Sequence, residues 1–186
     1  METTAFAKTG IAGMKLYILR HGDAVEHGDP RFKETDRPLT PKGIQRTKLL
    51  AHALRQMEAS FDVVLSSPLT RARETAEIVV RGLRREKRLE LTDHLALSGS
   101  MASLVDQVNA IHPRPKSVLL VGHEPYLSGF ISLLCTGGPA LSLALKKGAL
   151  CRLEVEVLSC AKCGTLEWLL QPRLLGFKPP KRKTEN

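Results

Sequence analysis

Arg20-His21-Gly22 follows directly on the apolar run Leu16-Tyr17-Ile18-Leu19. A neutral imidazole can attack phosphorus, and a guanidinium beside it can hold phosphoryl oxygens through paired hydrogen bonds. Two further placements carry the same chemistry. Arg71 lies just inside a helix-start signal, Ser67-Pro68, where free backbone N–H groups and the helix dipole favour an anion. His123 closes the run Val118-Leu119-Leu120-Val121-Gly122 and is followed by Glu124-Pro125. Each placement has an ordinary reading when taken alone: a strand-end histidine satisfied in a core, or a solvated arginine. At one edge of one sheet, two histidines and two arginines instead point to phosphoryl transfer through a histidine nucleophile. Asp23, just beyond Gly22, is either an accessory proton donor or a loop carboxylate, and both readings stay open.

The elements that must position these residues are readable from the same sequence. Leu16–Leu19, Phe61–Ser66 and Ser117–Gly122 are short apolar runs ended by turn residues, suited to buried strands. Thr40-Pro41 is an N-cap followed by proline and predicts a helix to about Met57. Ser67-Pro68 repeats the signal for a helix to about Leu83. Ser100 to Ile111 predicts a third helix, and a fourth follows Glu124-Pro125 and ends near Cys135. From Leu150 to Leu158, Cys151, Leu153, Val155 and Val157 alternate with polar residues, so they read as one half-buried strand. That strand pairs with Thr165–Leu170 across a turn at Cys160–Gly164. Reactive side chains in such proteins sit at the carboxyl ends of strands. The expected fold is α/β: a three-layer sandwich, its largely parallel sheet flanked by helices on both faces and closed by a C-terminal β-hairpin.

Composition narrows the function classes. The chain has 186 residues, 42% hydrophobic and 25% charged, as in an ordinary globular protein of one domain. That domain is expected over residues 14–177. Residues 1–13 read as a disordered extension and 178–186 as a basic disordered tail. No apolar run approaches the roughly 20 residues of a bilayer span, and the N-terminus lacks a signal-peptide core, so the expectation is a cytoplasmic protein without a membrane partner. Seven of the nine net positive charges fall in residues 81–88 and 178–186. Neither segment contains an aromatic residue, and only 4% of the chain is aromatic, which argues against nucleic acid and for a solvated helix end and tail. Cys160-Ala161-Lys162-Cys163 has zinc-knuckle spacing, but no second pair completes a tetrahedral site. No metal or cofactor is expected, and a monomer is favoured.

Four segments resemble the histidine phosphatase, or phosphoglycerate-mutase-like, superfamily, and within it the SixA-type phosphohistidine phosphatases. They are Leu19–Ala24, Arg37-Pro38-Leu39-Thr40-Pro41-Lys42-Gly43, Ser66–Thr75 and Val121–Pro125, in the family's order. Leu166-Glu167-Trp168 resembles the final SixA-type strand. The resemblance implies a phosphoglycerate-mutase-like fold, His21 as the phosphorylated nucleophile, Arg20, Arg71 and His123 as the phosphate pocket, and catalysis without metal. Longer members carry a glutamate after the third strand that protonates the leaving oxygen. Here that stretch is Thr92–Ser100, where only Asp93 and His94 could serve. An imidazole leaving group, with an ordinary pKa of about 6.5, needs such an acid less than an alkoxide does. The favoured function is therefore removal of phosphate from a phosphohistidine-bearing signalling or phosphotransfer protein. The alternatives are a small-molecule phosphomonoesterase and a non-catalytic phosphoprotein-binding module.

Overall fold

A computed structural model describes residues 13–83 and 88–175. The expected N-terminal extension (apart from Gly13), the tail at 178–186 and residues 84–87 of the first basic stretch lie outside the described residues. β1 (Met14–Arg20), β2 (Val63–Ser66), β3 (Arg88–Leu91) and β4 (Ser117–Gly122) form the parallel part of a six-stranded sheet. β5 (Leu150–Val155) and β6 (Gly164–Leu170) complete it in the order β3-β2-β4-β1-β5-β6. β5 runs antiparallel to both β1 and β6, so the C-terminal hairpin is present.

Successive side chains of a strand leave on opposite faces, and the apolar runs exploit this. Leu16 and Ile18 of β1 pack with Leu65 and Leu120 in one core, against Leu104, Val105, Leu127 and Phe130. Tyr17 and Leu19 pack with Val64, Leu119 and Val121 in a second, against Leu50, Leu54, Ala76 and Val79. The first core is covered by α3 (Met101–Asn109) and α4 (Tyr126–Thr136), the second by α1 (Pro41–Gln56) and α2 (Thr70–Leu83). This double burial is why β2 and β4 are buried along their whole lengths, and it gives the expected three-layer α/β sandwich. No helix among the described residues is long and apolar enough to cross a membrane.

Start and stop signals act largely as read. Thr40 Oγ1 accepts the Gly43 N–H at 3.0 Å and caps α1. Ser100 accepts from Ser103 N–H and caps α3. Gly137 ends α4 at φ 83°, the left-handed conformation that favours glycine. Three details differ. α2 begins at Thr70, because Ser67 Oγ caps a preceding turn through Leu69 N–H instead of the helix itself. β5 ends at Val155, leaving Val157 60% exposed while Leu158 is buried; the alternation breaks where the chain leaves the sheet. Arg88, the last residue of the first basic stretch, opens β3 instead of closing a helix.

The first turn of α1 is pressed against the loop that follows His21. Asp23 carbonyl oxygen accepts Thr40 N–H at 2.9 Å, and a Cβ on Gly43 would lie 2.0 Å from the same oxygen. Gly43→Ala should therefore destabilise the protein despite alanine's better helix propensity, by about 1–3 kcal/mol if the backbone gives way locally. Urea unfolding midpoints measure this; a midpoint at or above wild type would rule out the close approach.

Candidate active site

The pairing of β1 with β4 aligns Leu19 with Val121 and Arg20 with Gly122. The next residue on each strand end is a histidine, and His21 N–H donates to Gly122 carbonyl at 3.0 Å to extend the ladder. The imidazoles of His21 and His123 consequently face each other with ring centroids 5.1 Å apart. They are buried, with 6% and 1% of their surface exposed.

Each ring is fixed by one partner. His21 Nδ1 lies 2.7 Å from Gly22 carbonyl oxygen. A carbonyl can only accept, so Nδ1 carries the proton and Nε2 keeps its lone pair. Gly22 is itself anchored: its N–H donates to Thr75 Oγ1 at 3.0 Å, and Thr75 Oγ1 donates to Arg71 carbonyl at 2.7 Å on α2. His123 Nε2 is 2.8 Å from Ser67 Oγ, while its Nδ1 is buried without a partner. Burial pushes both histidines down to about 3. For His21 the Gly22 carbonyl works against the shift, and His123, Arg71 and Arg20 add to it. For His123 the neighbouring Arg71, Arg20 and Arg37 add to burial. Both imidazoles are neutral at physiological pH.

Three guanidinium groups surround them. Arg20 Nη1 donates to Leu145 carbonyl at 2.8 Å. Arg71, 2% exposed, donates to Glu34 carbonyl at 2.9 Å and pairs with Glu34 Oε1 at 3.3 Å. Arg37 grips the same carboxylate from both sides, Nε to Oε2 at 2.8 Å and Nη2 to Oε1 at 2.5 Å. Burial lowers the Arg20 and Arg71 guanidinium values, yet both stay cationic at neutral pH. The hydrogen bond from Arg37, and then His27, hold Glu34 down to about 2. Arg20 Nε and Arg71 Nε are buried donors without a partner. Such a cluster can bind a tetrahedral oxyanion and stabilise charge that develops on it.

The comparisons with known proteins agree with this chemistry. The family model for the histidine phosphatase superfamily (branch 1) matches residues 16–97. An uncharacterised protein of Picosynechococcus sp. is 38% identical over 144 residues, 74% of this chain and 82% of its own. The phosphohistidine phosphatase SixA of Escherichia coli K12 is 30% identical over 125 residues, 67% of this chain and 76% of its own. The chain belongs to the histidine phosphatase superfamily. A protein histidine phosphatase SixA solved in complex with tungstate superposes with a TM-score of 0.72 at 27% identity, covering 87% of this chain and 99% of its own.

Of the sequence-predicted residues, Arg20, His21, Arg71 and His123 come together in this superfamily member; of the two acids, Asp23 acts on Arg20 through its charge, and neither is hydrogen-bonded to a histidine of the pair. Asp23 Oδ2 is taken by Arg46 Nη1 at 2.7 Å. Asp93 is exposed on the 3-10 turn Asp93–Leu95. No hydrogen bond or ion pair among the described residues links it to either histidine. His94 is half-buried, its N–H donating to Thr92 Oγ1. Sequence reading missed Arg37, Glu34 and Ser67 as neighbours of the site. The first lies within the quoted Arg37-Pro38-Leu39 segment, so its signal was present; Glu34 gave none. All four cysteines are free thiols, and no group of three or more His, Cys, Asp or Glu side chains that could hold a metal occurs among the described residues.

A buried histidine with a lowered pKa takes its proton only after the unfolded chain has done so. Stability should therefore be flat above pH 6.5 and fall as the pH drops from about 6.5 toward about 3. Each histidine contributes up to about 1.4 kcal/mol per pH unit. Unfolding midpoints across this window should show the slope reduced in His123→Asn; an unchanged slope would mean that His123 protonates normally in the folded state.

Proposed function

We propose that this protein is a cytoplasmic phosphohistidine phosphatase that removes phosphate from a histidine of a signalling or phosphotransfer protein. The carrying observation is the neutral His21, its Nδ1 proton held by Gly22 carbonyl, which leaves Nε2 as an available nucleophile. In this reading Nε2 attacks phosphorus in line as the P–N bond of the substrate breaks. The released imidazole of the substrate takes a proton from solvent, and the water of the next step returns one when it attacks and the second P–N bond breaks. Water then attacks phospho-His21, giving inorganic phosphate and restoring the free ring. Arg20, Arg71 and His123, with Arg37 behind them, neutralise the equatorial oxygens throughout. Guanidinium charge supplies what a metal supplies elsewhere, so the reaction is proposed to be metal-independent. The tungstate-bound SixA relative, holding a tetrahedral oxyanion on the same fold, supports this assignment. So does the placement of Asp93, the acid after the third strand, on an exposed turn, because a phosphorus–nitrogen bond needs less help from an acid than an alkyl ester does.

Acid-labile, base-stable phosphate should accumulate on His21 during turnover, and His21→Ala should abolish activity with the fold retained by circular dichroism. An active alanine variant would sink the nucleophile assignment. Arg71→Lys keeps the charge but loses the planar fork. The loss of one preorganised donor, about 2.7–4 kcal/mol, predicts a rate lowered roughly a hundred- to thousand-fold, and a value within a few-fold of wild type would place Arg71 outside the pocket. Under identical conditions kcat/KM should descend from a phosphohistidine protein to an aryl phosphate to an alkyl phosphate, unaffected by chelator. An alkyl ester ranking first, with Asp93→Asn destroying its hydrolysis, would favour a small-molecule phosphomonoesterase instead; inhibition by chelator would reopen the question of a metal.

A further inference from the structure

A groove of about 550 Å³ is lined by Arg20, the residue before His21, and by neither histidine. Among the described residues its cations are Arg20, Arg46, Lys146, Lys147 and Arg173, set against the single carboxylate of Asp23. Asp23 is already paired with Arg46, which leaves the lysines and Arg173 exposed with no acid beside them in the groove. The lysines are not held loosely. Ala149 N–H donates to Lys146 carbonyl at 2.8 Å, and Gly148 sits at φ 74°. Lys146-Lys147-Gly148-Ala149 is thus a tight turn with glycine at the position that requires a positive φ.

That turn is built onto the catalytic strand end. Gly148 N–H donates to both Arg20 and His21 carbonyls, at 3.1 and 2.9 Å, and Arg20 N–H donates to Ala149 carbonyl at 3.1 Å. Arg20 Nη1 closes the loop on Leu145 carbonyl. Across the groove, Gln171 Nε2 donates to Ala144 carbonyl at 2.6 Å and ties the turn to the chain segment that carries Arg173. Two lysine stems therefore project from the backbone that positions the nucleophile, at a fixed offset from it. No aromatic side chain lines the groove, so it offers no stacking surface for bases.

We infer that this groove receives an acidic stretch of the phosphoprotein next to its phosphohistidine, with Lys146 and Lys147 reading the carboxylates. The inference rests on the function proposed above. It makes the enzyme selective for phosphohistidines with acidic neighbours, through attraction that weakens with added salt. Exposed ion pairs are individually modest, so two of them together give a preference of about five- to tenfold.

The test uses the full chain with two synthetic phosphohistidine peptides that differ only in flanking glutamates or glutamines, and p-nitrophenyl phosphate as a substrate too small to reach the turn. Wild type should favour the glutamate peptide about five- to tenfold in kcat/KM, mainly through KM, and the ratio should shrink as ionic strength rises. Lys146→Gln with Lys147→Gln, which keeps every backbone bond of the turn, should bring the ratio near one and leave p-nitrophenyl phosphate kinetics within twofold. A wild-type ratio near one, or a ratio unchanged in the double variant, overturns the groove assignment while phosphohistidine hydrolysis stands. If p-nitrophenyl phosphate is hydrolysed and neither peptide is, the proposed function falls and this inference falls with it.

Discussion

The register between β1 and β4 is the constraint on which the rest of the site depends. Leu19 beside Val121 and Arg20 beside Gly122 set two histidines next to each other at the sheet edge. Because side chains alternate across a strand, a slip of one residue would send every apolar side chain of β1 to the wrong core. Ile18 and Leu19 are both fully buried, on opposite faces, so a slip would have to repack two closely filled cores at once. The hydrophobic effect thus fixes the geometry of a polar site several residues away. The same parity that sends Tyr17 and Leu19 toward α1 and α2 carries on to His21, on which the charge of Arg71 from α2 acts.

Placed at that edge, the two imidazoles sit where protonation is most costly. They are buried, and the charges of Arg20 and Arg71 act on both, with Arg37 acting on His123 as well. A buried cation without a counter-charge costs several kcal/mol, and the described structure keeps the positive charge tolerable by two means. Both histidines remain neutral, and Glu34 supplies a carboxylate to the two deepest guanidiniums, Arg37 and Arg71. The carbonyl oxygens of Leu145, Val25 and Glu34 take up further donors. Positive potential is left unspent around the histidine pair, preorganised for negative charge that develops during a reaction.

The parts of this arrangement that were legible in the sequence are those written in contiguous residues. Apolar runs of three or four residues marked β1, β2 and β4 because burial on both faces demands them, and Thr40-Pro41 and Ser100 marked real caps. Arg20, His21, Arg71 and His123 could be read because each stands beside such a boundary. β3 was obscured by the basic residues that precede it. Glu34 and Arg37 belong to a loop folded back by an isolated bridge between Ala24 and Leu39 and by Val25 N–H to Pro38 carbonyl. That loop has no periodicity, so nothing local announces that the Glu34 carboxylate reaches Arg71 of α2. Ser67 was read as a helix cap. Its hydroxyl lies against His123 instead, a contact between residues 56 positions apart that no short motif encodes.

The Glu34 carboxylate has a bearing on throughput. Arg37 and Arg71 both hold it at rest, so in the proposed reaction an incoming phosphoryl group would not fill a bare hole but would compete with a resident anion. Its affinity is then the difference between two ion pairings and not the full strength of one. The same exchange run backwards offers departing phosphate a substitute: as the product loosens, the carboxylate returns to the arginines, and they need not wait for water. A pocket rich enough in cations to stabilise a transition state would otherwise tend to retain its product, and a built-in competitor lets it stay strongly charged without clogging.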